Sequence, residues 1–220
     1  SHRLAPRFLQ WLQPPPGGSW LDVGCGTGAL TAAICARTEP ASVLGCDPSE
    51  PFIEYARERE SDPRARFVVA QAPGLPERDG GYDHITSLLA LNFMPGPGEA
   101  VQQMASLMSG PGAQVSACVW DYGEQMQMLD RFWRTAAAVD HRARELSEAR
   151  RFPLCKPEAL ERLFGDAGLR RVRVEPVWLR TVFTGFEDYW RPLLTGDGPA
   201  PAYVATLDDV EAAFYAASRR

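Results

Sequence analysis

The stretch that decides the fold is Leu21-Asp22-Val23-Gly24-Cys25-Gly26-Thr27-Gly28. It joins a short apolar run that begins at Ser19 to a helical pattern that continues to Arg37. Three glycines in five positions let the backbone turn tightly and let a ligand approach where a Cβ would collide. The helix that begins here offers unpaired N–H groups and the positive end of its dipole. This loop is therefore a candidate site for a ligand carboxylate.

Strand and helix patterns alternate outward from this loop. The predicted strands are 19–23, 42–46 (ending at Asp47), 65–70, 82–87, 113–119 and 169–174. Helical patterns begin near Leu4, at Gly28, after the candidate N-cap Ser49, around Val101, at Pro157 and at about Thr206. Strands that alternate with helices form parallel βαβ units, and helices then cover both faces of the sheet. We therefore predict an α/β fold with a doubly wound, mostly parallel sheet.

Residues 120–152 interrupt this alternation. The stretch is helical in pattern and rich in aromatic and Met side chains, and its roughly 30 residues exceed the usual length of such a connection. We predict one domain over residues 1–220 with a helical insertion at 120–152, which we expect to form a lid over the ligand crevice. The alternative is a small core packed on the sheet. The arginines of the insertion would ordinarily form a solvated face, although one of them would suit an acidic substrate. They are Arg131, Arg134, Arg142, Arg144, Arg150 and Arg151.

The composition limits the classes of partner. The net charge is −5 and Lys156 is the only lysine, whereas a domain that binds nucleic acid through its phosphates is expected to be basic. The 5 cysteines form no CxxC pair, which favours reduced thiols in a cytoplasmic protein over disulfides or a zinc site. No apolar run reaches the length of a membrane span. We therefore predict a cytoplasmic protein with a small-molecule partner and without nucleic acid, membrane or metal.

Polar groups follow the predicted strands at their carboxyl ends, where open α/β sheets bind ligands. Asp22 lies just before the glycine loop and is able to accept a hydrogen bond from a ligand ammonium. Asp47 ends the second strand, and a carboxylate there is able to take both hydroxyls of a ribose. Pro48 and Phe52 add apolar surface for an adenine face, and residues 71–72 offer an amide and a backbone N–H for its edge.

These segments resemble class I SAM-dependent methyltransferases, in particular the subgroup of ubiquinone/menaquinone-biosynthesis-type and small-molecule methyltransferases. The resemblance rests on residues 21–28, on Gly45-Cys46-Asp47-Pro48-Ser49 with Phe52, and on residues 67–76 followed by Gly81-Tyr82-Asp83. It covers about residues 4–120. It implies a Rossmann-like, seven-stranded sheet with an antiparallel last strand, and S-adenosylmethionine as cofactor. The cofactor contacts predicted from the residues and the resemblance together are Asp22, Gly24, Cys25, Gly26, Gly28, Asp47, Pro48, Phe52, Gln71, Ala72 and Leu88, the last beside the methionyl part.

The chain departs from the family pattern at three places. Position 71 is often an aspartate in the family, so Gln71 puts the contact with the adenine amino group in doubt. Leu91-Asn92-Phe93-Met94-Pro95 stands where an Asn-Pro-Pro-Tyr-like motif would follow the fourth strand, so methylation of nucleobase amines is unsupported. Finally, no seventh strand is predicted before Arg220.

The expected reaction is transfer of the SAM methyl group to an O, N or C nucleophile of a small, partly apolar molecule, with S-adenosylhomocysteine as product. Alignment and exclusion of water are the main tasks of such an enzyme, and a nucleophile that carries a proton also needs a base. The candidate catalytic residues are Asn92, Asp121 and Tyr122. We expect Cys25 to fill space in the loop and His84 to be structural.

Two alternatives remain open. The acceptor could be RNA or protein, although the acidic net charge argues against RNA. The chain could also bind SAM or a dinucleotide without catalysis, since Gly24, Gly26 and Ala29 satisfy the weak GxGxxG/A pattern. A reductase of this size would often use a Tyr-x-x-x-Lys pair, and Phe152 stands four residues before Lys156.

Overall fold

The computed structural model describes residues 1–123, 125–196 and 198–207. The chain divides into two compact units. The first comprises Ser1–Val119 with Leu160–Leu179, and the second comprises Trp120–Ala159 with the described residues from Arg180 onward. Within the described ranges, no helix is both long and apolar enough to cross a membrane.

The first unit is built on five parallel strands in the order β3-β2-β1-β4-β5. They are β1 Ser19–Val23, β2 Ser42–Asp47, β3 Ala65–Val69, β4 His84–Leu88 and β5 Gln114–Cys118. All residues of β1 and β4 are buried, as expected for central strands of a parallel sheet that is covered on both faces. The strand order reverses between β1 and β4, and ligands bind at such a switch point in open α/β sheets. The predicted doubly wound parallel sheet is confirmed.

Ten α-helices accompany the sheet in the described part of the chain. They are α1 Ala5–Leu12, α2 Ala29–Arg37, α3 Glu50–Arg59, α4 Pro97–Ser106, α5 Gln127–Val139, α6 Ala143–Leu146, α7 Glu148–Arg151, α8 Pro157–Asp166, α9 Phe186–Thr195 and α10 Pro199–Val204. In the first unit, Leu21 and Ile85 of the central strands pack in one core with Met104 of α4. Helix α4 therefore packs against the central strands β1 and β4.

The predicted sixth strand at 169–174 is wrong. Exposed and half-buried residues alternate from 171 to 174, which fits the strand-like sequence pattern. However, Arg171 adopts a left-handed backbone with φ of 58°, and this breaks the extended path that a ladder requires. Among the described residues the sheet has five strands, not the seven that the family resemblance implies.

Smaller differences affect the ends of other elements. Tyr82, the predicted start of the fourth strand, makes only an isolated bridge to Met108, and β4 begins at His84. Ser49 occupies the N-cap position of α3, but its hydroxyl makes no capping bond. The predicted last helix, from about Thr206, lies outside the described residues beyond Leu207.

The second unit has its own aromatic core. Phe132 and Trp133 of α5 pack with Trp190 of α9 and Tyr203 of α10. Buried Glu148 accepts hydrogen bonds from the Trp133 indole N–H and from the Ala200 backbone N–H, the latter at 3.2 Å. Since α9 and α10 come from beyond residue 180, the predicted bounds of the insertion do not include every segment of this core. The lid role of 120–152 stays a prediction.

Candidate functional site

The glycine loop is tied to the end of the neighbouring strand β2. The backbone N–H groups of Gly24 and Cys25 both donate to the Cys46 carbonyl, at 2.8 and 3.0 Å. Gly24 has φ of 73°, and a Cβ there would lie 2.4 Å from Ala90 Cβ. The segment that follows β4 therefore packs directly on the loop, and only glycine fits at position 24.

The loop is open at Gly26. Its φ is 53°, and nothing lies within 4 Å of the position a Cβ would take. Its N–H donates to Asp47 Oδ2 at 3.0 Å. Gly28 follows as the N-cap of α2. The loop therefore leaves space beside a fixed backbone, in front of the helix terminus that the sequence indicated for a ligand carboxylate.

Asp47 lies buried at the carboxyl end of β2. Its Oδ1 accepts from the Ser49 N–H at 2.9 Å, while Oδ2 accepts from Gly26. The carboxylate is thus held in one orientation by the loop and by the start of α3. Each oxygen keeps further acceptor capacity, so the predicted contact with a ribose is chemically compatible with these bonds.

Asp22 lies at the carboxyl end of β1 and is fully buried. Its Oδ2 accepts from Thr31 Oγ1 of α2 at 2.7 Å, whereas the buried Oδ1 has no hydrogen-bond partner. Burial raises the pKa of Asp22 to about 7, against the lowering effect of the Thr31 bonds. An unpartnered buried oxygen is costly and uncommon. Oδ1 is therefore available to a donor that comes with a ligand.

The segment after β4 carries a strained residue and a second unpartnered polar group. Leu88 ends the strand and is buried. Leu89 then adopts φ of 62°, and its N–H donates to the Cys118 carbonyl at 2.7 Å. Such a backbone costs on the order of 1–3 kcal/mol for a non-glycine residue and is found mainly at functional sites. In the following 3₁₀ turn, the buried Asn92 Nδ2 has no hydrogen-bond partner.

Apolar side chains remain exposed where the adenine was expected. Phe52 of α3 and Val69 of β3 are each 50% exposed, and Pro48 is exposed. Gln71 is exposed and Ala72 half-buried just beyond β3. Exposed apolar side chains of this kind suit the flat face of an adenine ring. The exposed Gln71 amide is accessible to the polar edge of that ring.

Cys25 and His84 are in structural surroundings. Cys25 is buried, burial raises the pKa of its thiol, and its Sγ would lie 3.1 Å from a Cβ at Gly45. His84 is at the amino end of β4, away from the strand ends that form the candidate site. It stacks on Trp20 with ring centroids 4.3 Å apart, and burial lowers its pKa.

The structure divides the predicted residues between the two units. Asp22, the glycine loop, Asp47 and Leu88 share the carboxyl edge of the sheet, and Asn92 follows β4 in the same unit. Asp121 and Tyr122 belong to the second unit, where Asp121 Oδ1 accepts from the Gly123 N–H at 3.0 Å. Burial raises the pKa of Tyr122 to about 12. The catalytic roles of Asn92, Asp121 and Tyr122 stay predictions.

Sequence reasoning missed two residues at this edge. Thr31 donates a hydrogen bond to Asp22. The one feature of the sequence that could have indicated this role is a polar side chain on the buried side of an apolar helix. Leu89 shapes the segment after β4, and a left-handed leucine has no signature in sequence because its residue type does not favour that backbone.

The family match and the similar curated proteins are methyltransferases. Residues 21–112 match the protein family described as methyltransferase domain. The demethylmenaquinone methyltransferase of Bacillus licheniformis is 29% identical over 184 residues, which cover 77% of this chain and 78% of that protein. The protein named probable tRNA methyltransferase 9B of Mus musculus is 33% identical over 130 residues, which cover 57% of this chain and 27% of that protein.

Solved structures support the fold. A protein described as a methyltransferase from an antibiotic biosynthesis pathway of Anabaena variabilis superposes with a TM-score of 0.65, at 19% identity, over 99% of this chain and 84% of that one. At this identity the likeness shows the fold alone. The chain spans less than half the length of several curated relatives that it matches.

Proposed function

We propose that this chain, whose residues 21–112 match the family described as methyltransferase domain, transfers the SAM methyl group to an O, N or C nucleophile of a small molecule. S-adenosylhomocysteine would be the product. One observation carries the proposal: two buried carboxylates, Asp22 and Asp47, flank an open glycine loop at the switch point of a parallel sheet.

The residues at this edge suit the parts of S-adenosylmethionine, which supplies a methyl group already made electrophilic by the sulfonium. The unpartnered Oδ1 of Asp22 is an acceptor for the ligand ammonium, directly or through water. Asp47 would take the ribose hydroxyls. The N-terminus of α2 suits the ligand carboxylate, and the half-exposed rings and side chains around Phe52 suit adenine.

The remaining tasks of the chain are orientation, water exclusion and proton handling. The Asn92 amide Nδ2 is a hydrogen-bond donor that does not take up a proton, so we assign Asn92 an orienting role. With a pKa of about 12, Tyr122 is a neutral hydroxyl at neutral pH and would donate a hydrogen bond. Among the three candidates, Asp121 is the one whose ordinary chemistry suits a general base.

The proposal also specifies the kind of methyl acceptor, a small molecule rather than tRNA. The Bacillus relative that shares most of its length with this chain is named for a quinone-type small molecule, whereas the mouse relative is named for tRNA. We favour a small molecule because the net charge of −5 opposes binding to phosphates. Product assays with small molecules and with tRNA distinguish the two kinds of acceptor. Methylation of tRNA alone would overturn our proposal of a small-molecule acceptor. The free thiols at all described cysteine positions fit the reducing cytoplasm that we propose as its location.

The first test is calorimetric titration with S-adenosylhomocysteine, with NADH as the comparison ligand. We expect saturable micromolar binding of the homocysteine compound and none of NADH. Asp47→Ala should weaken binding at least tenfold, since it removes the ribose acceptor and frees the loop. The matched control is Glu54→Ala, which removes an exposed carboxylate from the neighbouring helix α3. This variant should bind like the parent. Equal binding by Asp47→Ala, with its fold intact by circular dichroism, would contradict the proposal.

A second test addresses catalysis rather than binding. Incubation with radiolabelled SAM and a panel of small acceptors should give labelled product that depends on protein and acceptor. Tight binding without product from any acceptor, small or macromolecular, would favour the alternative of a SAM-binding protein without catalysis.

A further inference from the structure

The second unit contains a cavity that is partly open to solvent. It measures about 420 Å³ and lies among α5, α6 and α7 and the turn that contains Tyr122. Cavities of this size hold small organic ligands. The cavity involves residues of the second unit only.

Three arginines line this cavity, and one of them has no ion-pair partner in the described structure. Arg134 bonds to Asp130 through Nε at 2.9 Å, and Arg150 lies 3.7 Å from Glu145. Arg144 is exposed and pairs with none of the carboxylates that the structure describes. Asp130 is the one carboxylate in the lining, so the described lining carries three positive charges against one negative charge.

Apart from Gly123 and Ser147, the rest of the lining is aromatic or apolar. Trp133 contributes its indole, whose N–H is already engaged by Glu148 and which therefore offers ring surface rather than a donor. Ala137 and Ala149 add apolar surface, and Tyr122 adds a second ring. This pairing of ring surface with unpaired guanidinium suits a molecule that is flat and apolar at one end and negatively charged at the other.

We propose that this cavity binds a small aromatic carboxylate, with Arg144 as its charge partner and the Trp133 and Tyr122 rings as its apolar walls. A guanidinium matches a carboxylate with two parallel hydrogen bonds. The proposal concerns ligand binding in the second unit and does not depend on methyl transfer.

The test is calorimetric titration of the full chain with 2-naphthoate at low ionic strength. The neutral alcohol 2-naphthalenemethanol and inorganic phosphate serve as comparison ligands. We expect 2-naphthoate to bind at least tenfold more tightly than the alcohol, because the alcohol lacks the charge, and more tightly than phosphate, because phosphate lacks the ring. Added salt should weaken binding.

Three variants assign the binding to this cavity. Arg144→Gln should weaken 2-naphthoate binding at least fivefold while it leaves the affinity for the alcohol unchanged. Ala137→Leu fills the cavity with a good helix former and should weaken both aromatic ligands. Arg131→Gln removes the same charge from α5 outside the lining and should bind like the parent.

Several outcomes would overturn the proposal. They are equal binding of the alcohol and the carboxylate, parent-like binding by Arg144→Gln, or phosphate binding as tight as that of 2-naphthoate. Each is independent of whether S-adenosylhomocysteine binds, so the failure of this proposal and the failure of the proposed function are distinguishable.

Discussion

Both units of the chain bury carboxylates, and Asp22 in the first unit differs from Glu148 in the second in how its two oxygens are partnered. In the second unit, Glu148 receives an N–H donor on each oxygen, from Trp133 and from Ala200. In the first unit, Asp22 receives the Thr31 hydroxyl on one oxygen, and its other oxygen has no partner. A buried acceptor is stable when it is fully satisfied. Glu148 is therefore complete without a ligand, and Asp22 is not.

For these two side chains, the difference in partners indicates a role that burial alone does not. Both side chains are almost inaccessible, so burial alone would give them the same role. The unsatisfied oxygen instead predicts which of the two should respond when a cofactor is added. The following predictions test that contrast, in order of decreasing effect.

The largest effect is expected from Glu148→Ala. This change leaves the Trp133 indole N–H and the Ala200 N–H without acceptors, and we expect a loss of about 3 kcal/mol in the free energy of unfolding. Urea unfolding monitored by tryptophan fluorescence measures it. The control is Glu145→Ala, an exposed neighbour whose loss should change stability by less than about 0.5 kcal/mol. Similar losses in both variants would show that the Glu148 bonds do not hold this core together.

Asp22→Asn should change the pH dependence of stability. The folded-state pKa of about 7 lies above the ordinary value of 3.8 for an Asp carboxyl, so the folded chain binds more protons than the unfolded chain between these pH values. The contribution of Asp22 to stability therefore falls as pH rises from about 4 to about 7 and is level above that. Asn cannot ionise, so the variant should gain about 2 kcal/mol relative to the parent between pH 5 and pH 8.

Thermal unfolding of both proteins at several pH values measures this gain. The same variant should bind S-adenosylhomocysteine more weakly, because an amide accepts from an ammonium less strongly than a carboxylate does. A stability difference that does not vary with pH would mean that Asp22 ionises in the folded chain as it does in an unfolded one.

The parts of the molecule that were predictable from sequence are those in which local chemistry dictates the backbone. Three glycines between an apolar run and a helix predict the loop, and the match of residues 21–112 to a methyltransferase domain confirms the family resemblance. The five strands follow from their apolar runs and turns. Asp47 was predictable as a strand-end carboxylate. It is the last residue of the apolar run that forms β2, and the end of that run is also the carboxyl end of the strand in the sheet.

The parts that were not predictable depend on contacts between distant segments. The sequence 169–174 alternates like a strand, yet the left-handed Arg171 and the lack of a ladder are tertiary outcomes. The packing of α9 and α10 on α5 joins residues some 60 positions apart, as in the Tyr189 hydroxyl that donates to the Met128 carbonyl at 3.0 Å. Likewise, no sequence pattern tells which oxygen of Asp22 is left without a donor.

The smallest effect is expected from Thr31→Val, which removes the hydroxyl that donates to Asp22 Oδ2 with little change in shape. The Thr31 bond lowers the pKa of Asp22, so its removal should raise that pKa further. We expect a loss of about 1 kcal/mol that is greater at pH 8, where the carboxylate is charged, than at pH 5. Thr38→Val is the matched control, since that buried hydroxyl donates to the Ile34 carbonyl of its own helix and should show no pH dependence. Equal losses of stability at both pH values would mean that Thr31 contributes through packing and not through its hydrogen bond to Asp22. The contrast between Asp22 and Glu148 would then rest on the unpartnered oxygen of Asp22 alone.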